Sequence, residues 1–353
     1  MLGWTLEEFA RDGGRTTRAA RQDYRERMRG VPPDLPAPTR IIEDGGVTKF
    51  CLPVAGGYET ESVIIPMDSY RGTSWHTLCV SSQVGCRMGC TFCETGRMGL
   101  LRNLTAAEIV MQRIAARQQM RQKLLTVEDG QYHYFRDGIC NVVFMGMGEP
   151  LDNFDEVVRA IRVMSEPNGL ALPLAQITIS TVGRLDGIRA LAELARAEPV
   201  WRNLRLAISL TAATDDLRSQ LLPINRSMPL AELQQALLDY PLTPKGRLLI
   251  AYVMLRGVND SLEDADRVAE WARPLPCVVN LIPYNHQSDA TYAAPDDATV
   301  LAFQLRLRAR GIFAKWRVTR GRGLMAACGQ LGNPSIGRRR SSAVGGRPTE
   351  FEI

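Results

Sequence analysis

Three cysteines within one short run, Cys86-Arg87-Met88-Gly89-Cys90-Thr91-Phe92-Cys93, are the residues of this chain best suited by type and spacing to do chemistry. Thiolates that close in sequence can meet at one point only if the backbone loops around it, and Gly85, Gly89 and Gly96 permit that loop. Soft thiolates select iron–sulfur clusters or zinc. Either site ordinarily takes four protein ligands, and neither a fourth cysteine nor a histidine lies close by. A cluster held by Cys86, Cys90 and Cys93 would keep one iron open to a non-protein ligand. That open position favours the cluster over a zinc knuckle.

The elements that must position this loop can be read from the apolar pattern. Strand-like runs lie before it, at Val47 to Leu52, Glu61 to Ile65 and His76 to Val80, with Gly45-Gly46 and Gly56-Gly57 as turns. After it, Thr105 and Glu108 form a capping box opening a helix through Ile109 and Ile114. Further strand-like runs follow at 141–145, 176–181, 204–210, 247–255, 278–282 and 312–318. Helical segments at 154–165, 185–195, 230–238, 262–272 and 296–310 separate them. Such alternation implies parallel βα units with strands buried on both faces. About six units emerge, too few for an eight-fold barrel, so a partial, open α/β barrel is expected.

In parallel α/β folds chemistry collects at the carboxyl ends of strands. There the sequence offers Gly146-Met147-Gly148-Glu149-Pro150, Ser180-Thr181, Ser209-Leu210-Thr211 and Pro283-Tyr284-Asn285, all small, glycine-rich or hydroxyl-bearing turns able to approach a ligand. Cys51, Cys140 and Cys277 fall in apolar strand-like runs and read as core. His76, His133 and His286 have no ligand spacing.

Composition sets the limits. The 353 residues, 45% hydrophobic and 23% charged, describe an ordinary globular chain able to bury a substantial core. No signal-like or membrane-length apolar run occurs, so the expected location is cytoplasmic, and eight cysteines read as ligands or redox groups rather than a disulfide scaffold. The net charge of +5 conceals an asymmetry: residues 306–349 hold eleven Lys and Arg and no Asp or Glu, leaving 32 basic against 38 acidic elsewhere. Basic charge gathered at one end suits a polyanion such as nucleic acid, although a solvated tail has the same composition. The expected organisation is a short helical arm and Pro-rich link at 1–40, a small β extension at 41–78, a core at 79–331 and a basic tail at 332–353.

Read together, several blocks resemble the RlmN/Cfr family of radical-SAM RNA methyltransferases. They are Cys79-Val80-Ser81-Ser82-Gln83-Val84-Gly85-Cys86, the cysteine run, Arg102-Asn103-Leu104-Thr105, Gly146 to Leu151, Leu206 to Leu210, Leu222-Pro223-Ile224-Asn225, Tyr252 to Leu255, Asn280 to Pro283 and Ala327-Cys328-Gly329-Gln330-Leu331. They run in order from about Thr39 to Leu331. The cysteine motif alone would indicate only radical SAM chemistry.

The resemblance implies a (βα)₆ radical SAM barrel with a small N-terminal β/helical extension, and a [4Fe–4S] cluster on Cys86, Cys90 and Cys93 whose open iron binds S-adenosylmethionine (SAM). It implies methylation of carbon 2 of adenine in ribosomal or transfer RNA, and Gly146 to Pro150 suits that branch of the family better than its carbon 8 branch. Adenine C2 is an unactivated carbon, so radical chemistry supplied by a cofactor suits the task. One SAM methylates Cys328; a second yields a deoxyadenosyl radical that takes hydrogen from that methyl group, and the resulting radical adds to the base. Cys79 releases the product by forming a disulfide with Cys328, and Glu61 matches the base that removes the proton. SAM contacts carry over to Gly148, Glu149, Ser180, Ser209, Leu210, Thr211 and Asn285. A flavodoxin- or ferredoxin-type electron donor, an RNA partner, no membrane and a monomeric chain are the expected associations. Three departures stand out: the family's long helical N-terminal domain is reduced to about forty residues, Thr211 replaces a common His, and Glu94 replaces a small residue. The short arm keeps a second possibility open, a radical SAM methylase of a peptide or small molecule. A non-catalytic Fe–S or RNA-binding module would have no use for Cys79, Cys328 and the contact loops together.

Overall fold

The computed structural model describes residues 1–30, 32, 34–68, 74–124, 138–287, 291–317 and 325–332, with side chains undescribed at 122–124. The tail at 333–353, His133 and the last residue of the run expected at 312–318 lie outside the described residues.

The N-terminal arm is two helices rather than one, α1 (Leu6–Asp12) and α2 (Thr17–Arg29). Thr5 and Glu8 cap α1 reciprocally, and Ala20, Tyr24 and Met28, one helical face of α2, are buried. Tyr24 donates to the Trp4 carbonyl at 2.9 Å, and Arg159 donates to the Gly3 carbonyl at 2.9 Å, which fixes the arm to a later helix. Strands β1 (Arg40–Asp44), β2 (Val47–Val54) and β3 (Tyr58–Asp68) follow as an antiparallel meander. Gly45 and Gly46, at φ +53° and +79°, make the two-residue turn that tightly twisted strands require.

The barrel begins with β4 (Ser74–Cys79). The cysteine loop then emerges inside a hairpin of β5 (Gln83–Cys86) and β6 (Gly99–Asn103), with α3 (Glu94–Arg97) between them. After α4 (Ala106–Leu124) come β7 (Ile139–Phe144), α5 (Phe154–Ser165), β8 (Ile177–Thr181), α6 (Leu185–Ala197) and β9 (Arg205–Ser209). The chain continues through α7 (Asp215–Leu221), α8 (Leu230–Leu238), β10 (Leu248–Met254), α9 (Leu262–Ala272), β11 (Cys277–Pro283), α10 (Asp297–Ala309) and β12 (Ala314–Trp316).

One sheet runs β1-β2-β3-β4-β7-β8-β9-β10-β11-β12, parallel from β4 onward and open at its ends. Six βα units therefore form a partial barrel, with β12 added as a last strand. Its strands are not buried alike on both faces. In β10, Leu248, Ile250, Tyr252 and Met254 are fully buried, whereas the alternate residues Leu249, Ala251 and Val253 are half-buried. Period-two alternation sends the first set against the helices and leaves small side chains on the concave face. That face is where the room for a ligand lies. No described helix is long and apolar enough to cross a membrane.

Candidate active site

The cysteine loop is more rigidly built than glycine spacing suggests. Gly85, at φ +74°, sits where the β5–β6 register shifts, and a Cβ there would stand 1.9 Å from the Gly99 carbonyl oxygen. Gly89 is also left-handed, at φ +66°. Gly96 is not a left-handed turn; it is small because the Cys90 backbone lies 3.1 Å from where its Cβ would be. Cys86 ends β5, Cys93 is the N-cap of α3, and the Cys93 N–H donates to the Cys90 carbonyl at 3.2 Å. All three thiols are free and line one cavity. Burial pushes each of them up, Cys86 to about 12. Buried thiolates want a cationic partner, and among the described residues no three metal-ligating side chains converge on a single ion. Three soft, spaced donors with no fourth therefore fit the corners of a [4Fe–4S] cluster better than one tetrahedral ion.

Facing the cysteines are Gly148, Glu149, Ser180, Ser209 and Asn285, each from the carboxyl end of a parallel strand. Gly148, at φ +103°, packs so closely on Gln83 that a Cβ would fall 2.6 Å from the Gln83 Cβ. Gln83 in turn accepts from the Glu149 N–H at 2.9 Å and donates to Asn103 Oδ1 at 2.8 Å, tying this turn to the cysteine hairpin. The Glu149 carboxylate accepts from the N–H groups of Leu151 at 3.0 Å and Val182 at 2.8 Å. Burial pushes it up to about 7 despite those donors. A cationic amine beside it would restore its charge.

Leu210 and Thr211, next to the lining residue Ser209, are fully buried and are not themselves among the residues that line the cavity. Thr211 adopts φ +58°, a strained conformation for a β-branched residue. Its carbonyl accepts from Asn259 Nδ2 at 2.7 Å, while its buried hydroxyl has no hydrogen-bond partner among the described residues.

Cys328 lies on the short segment 325–332, in the wall between this cavity and a second one. Asn285 Nδ2 donates to the Cys328 carbonyl at 3.1 Å, the Glu94 N–H to the Gly329 carbonyl at 2.8 Å, and Thr95 Oγ1 to the Leu331 carbonyl at 2.5 Å. Gln287 Nε2 bridges the Phe92 and Gly329 carbonyls. The segment that bears Cys328 is thus bonded directly to the residues around Cys93. Cys79, at the end of β4, lines the second cavity with Cys328, Asp68, Lys315, Trp316 and Arg317. Burial pushes the Cys79 thiol up to about 12, with Cys328 adding to this and Arg317 opposing it, so at neutral pH it rests protonated.

Glu61 is the expected catalytic residue that lines neither cavity. Its carboxylate pairs with Lys49 Nζ at 2.8 Å and accepts from the Gly332 N–H at 3.1 Å. Strand alternation carries it to the side of the sheet that holds the end of the 325–332 segment. Among the described residues, the carboxylate lining the second cavity is Asp68, which accepts from Ser74 Oγ at 2.9 Å.

Sequence reasoning also missed Arg218. It is 1% exposed, and burial pushes its guanidinium down to about 10. It donates to the carbonyls of Val182 at 2.5 Å, Leu210 at 3.2 Å and Ser209 at 3.3 Å, and to Asn225 Oδ1 at 2.6 Å. It therefore pins two strand ends that frame the cavity. A lone arginine beside Leu217, Leu221 and Leu222 was the available signal. Cys51 is buried in β2, as expected of core, while Cys140 and Cys277 are half-buried in β7 and β11.

A family model for the radical SAM superfamily matches residues 80–272. A probable dual-specificity RNA methyltransferase RlmN 1 of Protochlamydia amoebophila is 42% identical over 85% of this chain and 76% of its own length. A dual-specificity RNA methyltransferase RlmN of Geotalea uraniireducens is 37% identical, over 94% of this chain and 88% of its own. The crystal structure of a radical SAM methyltransferase from Sphaerobacter thermophilus is 35% identical and superposes with a TM-score of 0.81, covering 94% of this chain and 98% of that one.

Proposed function

The chain belongs to the RlmN family of radical SAM RNA methyltransferases, and from that premise we propose how its own residues share the work of methylating carbon 2 of adenine in ribosomal and transfer RNA. The observation that carries the assignment is the place of Cys328, in the wall common to two cavities. One cavity has the cysteine loop and a ring of polar strand ends; the other has Cys79, a carboxylate and two cations.

Cys86, Cys90 and Cys93 would hold the cluster, and Glu149, Ser180, Ser209 and Asn285 would orient SAM, Glu149 as acceptor for its amino group. When bound, the pair supplies a methyl group and one-electron chemistry that this chain's side chains cannot. Cys328 takes the methyl group on its sulfur from the first cavity and presents it to the base in the second. Glu61 accepts the proton from the substituted carbon, a role that the family resemblance gives it and that its place beside the Cys328 segment, accepting from the Gly332 N–H, supports. Lys315 and Arg317 suit the phosphates of the RNA there. Cys79, once deprotonated, attacks Cys328 sulfur; the S–S bond forms as the C–S bond to the product breaks. A flavodoxin- or ferredoxin-class donor supplies electrons. An RNA substrate supports a cytoplasmic reaction.

The test is anaerobic reconstitution with iron, sulfide, SAM and dithionite, followed by mass spectrometry of the protein and of digested RNA. The expected result is methyl-Cys328 together with 2-methyladenosine. Methyl-Cys328 without any methylated adenosine would transfer the reading to a peptide or small-molecule substrate, and no methyl-Cys328 would remove the carrier.

A further inference from the structure

Arg87 stands between Cys86 and Met88, which both line the first cavity, yet its own side chain lines neither cavity and is 57% exposed. It reaches away from the cysteines to Asp152, with Nη2 2.5 Å from Oδ1. Asp152 has the opposite setting. Its side chain is 2% exposed, in the single helical turn at Pro150–Asn153 that follows Glu149. Donors from three places meet on this one carboxylate: besides Arg87, Arg184 Nη1 donates to Oδ1 at 2.5 Å and Gln83 Nε2 to Oδ2 at 3.2 Å. None of these residues lines either cavity.

The segments joined in this way each carry part of the candidate site. The Asp152 N–H donates to the Glu149 carbonyl at 3.0 Å, which ties the carboxylate to the turn that bears Glu149. Arg184 is the N-cap of α6, just after the β8 end that supplies Ser180 and the Val182 N–H held by the Glu149 carboxylate. Arg87 belongs to the loop between Cys86 and Cys90. That loop has room at Gly89, where a Cβ would meet only Pro223 Cγ at 3.8 Å. An ion pair with both ends in water contributes little, whereas a buried carboxylate depends on its donors. Here the carboxylate is buried beside Glu149 and one donor comes from the cysteine loop, so the pair acts on the position of that loop.

We propose that Asp152, through Arg87, braces the cysteine loop against the turn that bears Glu149 and so sets the span between the cluster and the group that holds the SAM amine. A ligand anchored at two points gains its second anchor fully only when the two are held at the right separation. Arg87 and Asp152 are positioning residues. The proposal rests on the cluster and SAM reading above, and one of its readouts needs neither cofactor.

The variant that tests it is Arg87→Met, which removes the donor from an exposed side chain and leaves Asp152 with Arg184 and Gln83. On reconstituted protein, SAM affinity by equilibrium dialysis should fall about tenfold with cluster iron unchanged. The change that SAM causes in the electron paramagnetic resonance spectrum of the reduced cluster should diminish with it. Arg87→Lys should stay within about threefold of native, because an ammonium can replace one point contact where no bidentate fork is used. Asp152→Asn should match Arg87→Met, and the double variant should also lose about tenfold rather than about a hundredfold, since both changes break one contact. In iron-free protein, amide exchange across residues 87–91 should be at least about tenfold faster in Arg87→Met than in the native chain. Native SAM affinity in Arg87→Met, or additive losses in the double variant, overturns the brace. Should Asp152→Asn fail to fold, Arg87→Met and Arg87→Lys decide by themselves. Faster exchange in a chain that binds no cluster or no SAM would remove the cofactor reading and leave the brace standing.

Discussion

Gly85 and Gly99 lie on facing strands of the β5–β6 hairpin, one position out of register, both left-handed, at φ +74° and +68°, yet their surroundings differ. A Cβ on Gly99 meets nothing within 4 Å, whereas one on Gly85 would stand 1.9 Å from the Gly99 carbonyl oxygen. Gly99→Ala should therefore cost only the conformational penalty of a left-handed side chain, about 1–2 kcal/mol. Gly85→Ala carries the same penalty and must also drive the strands apart by more than about 1 Å to reach van der Waals contact. Cys86 is the next residue and moves with the strand. A displacement of about 1 Å in a positioned reacting group can cost about 100-fold in rate. The assay compares the two alanine variants for iron bound per chain after anaerobic reconstitution, thermal midpoint, and methylation of RNA. Gly99→Ala should bind iron normally and lose a few degrees of midpoint at most. Gly85→Ala should lose cluster iron and methylate at least about 100-fold more slowly. Equal iron and equal turnover in the two variants would refute the claim that this hairpin fixes the cluster loop.

Burial holds Glu149 near 7, so protons compete with a cationic amine for it, and SAM affinity should fall about tenfold between pH 8 and pH 6. Glu149→Gln should lack that component, and parallel pH slopes for the two proteins by equilibrium dialysis would contradict it. Arg218→Lys replaces a fork that serves four acceptors with a single ammonium, which should destabilise the chain by about 3 kcal/mol in urea unfolding; an unchanged midpoint would show that the strand ends do not depend on it. Cys79→Ala should arrest the reaction with RNA covalently attached through Cys328, detected as a nuclease-resistant mass on that cysteine. Release of free methylated RNA from this variant would count against the resolving role.

The barrel strands and most of the helices could be read almost to the residue, because each buries a strongly periodic apolar face. Helices α5, α8 and α9 begin and end where the pattern does. Local order less dependent on that pattern was harder to see. The second helix of the arm, the short β1, the cysteine hairpin and the polar-rich α7 are held by capping, turns and tertiary hydrogen bonds.

Sequence alone determined the cysteine run, the polar strand ends and the open α/β barrel, since chemistry constrains residue type and local spacing. Only the tertiary structure decided which of those residues share a space. It set Cys328 in the wall between two cavities, buried Leu210 and Thr211, and brought Glu61 to the segment that bears Cys328. Residues far apart in the chain are brought together by the twist and closure of the sheet, and which side a strand residue faces depends on register. Neither is written in the spacing of the residues themselves.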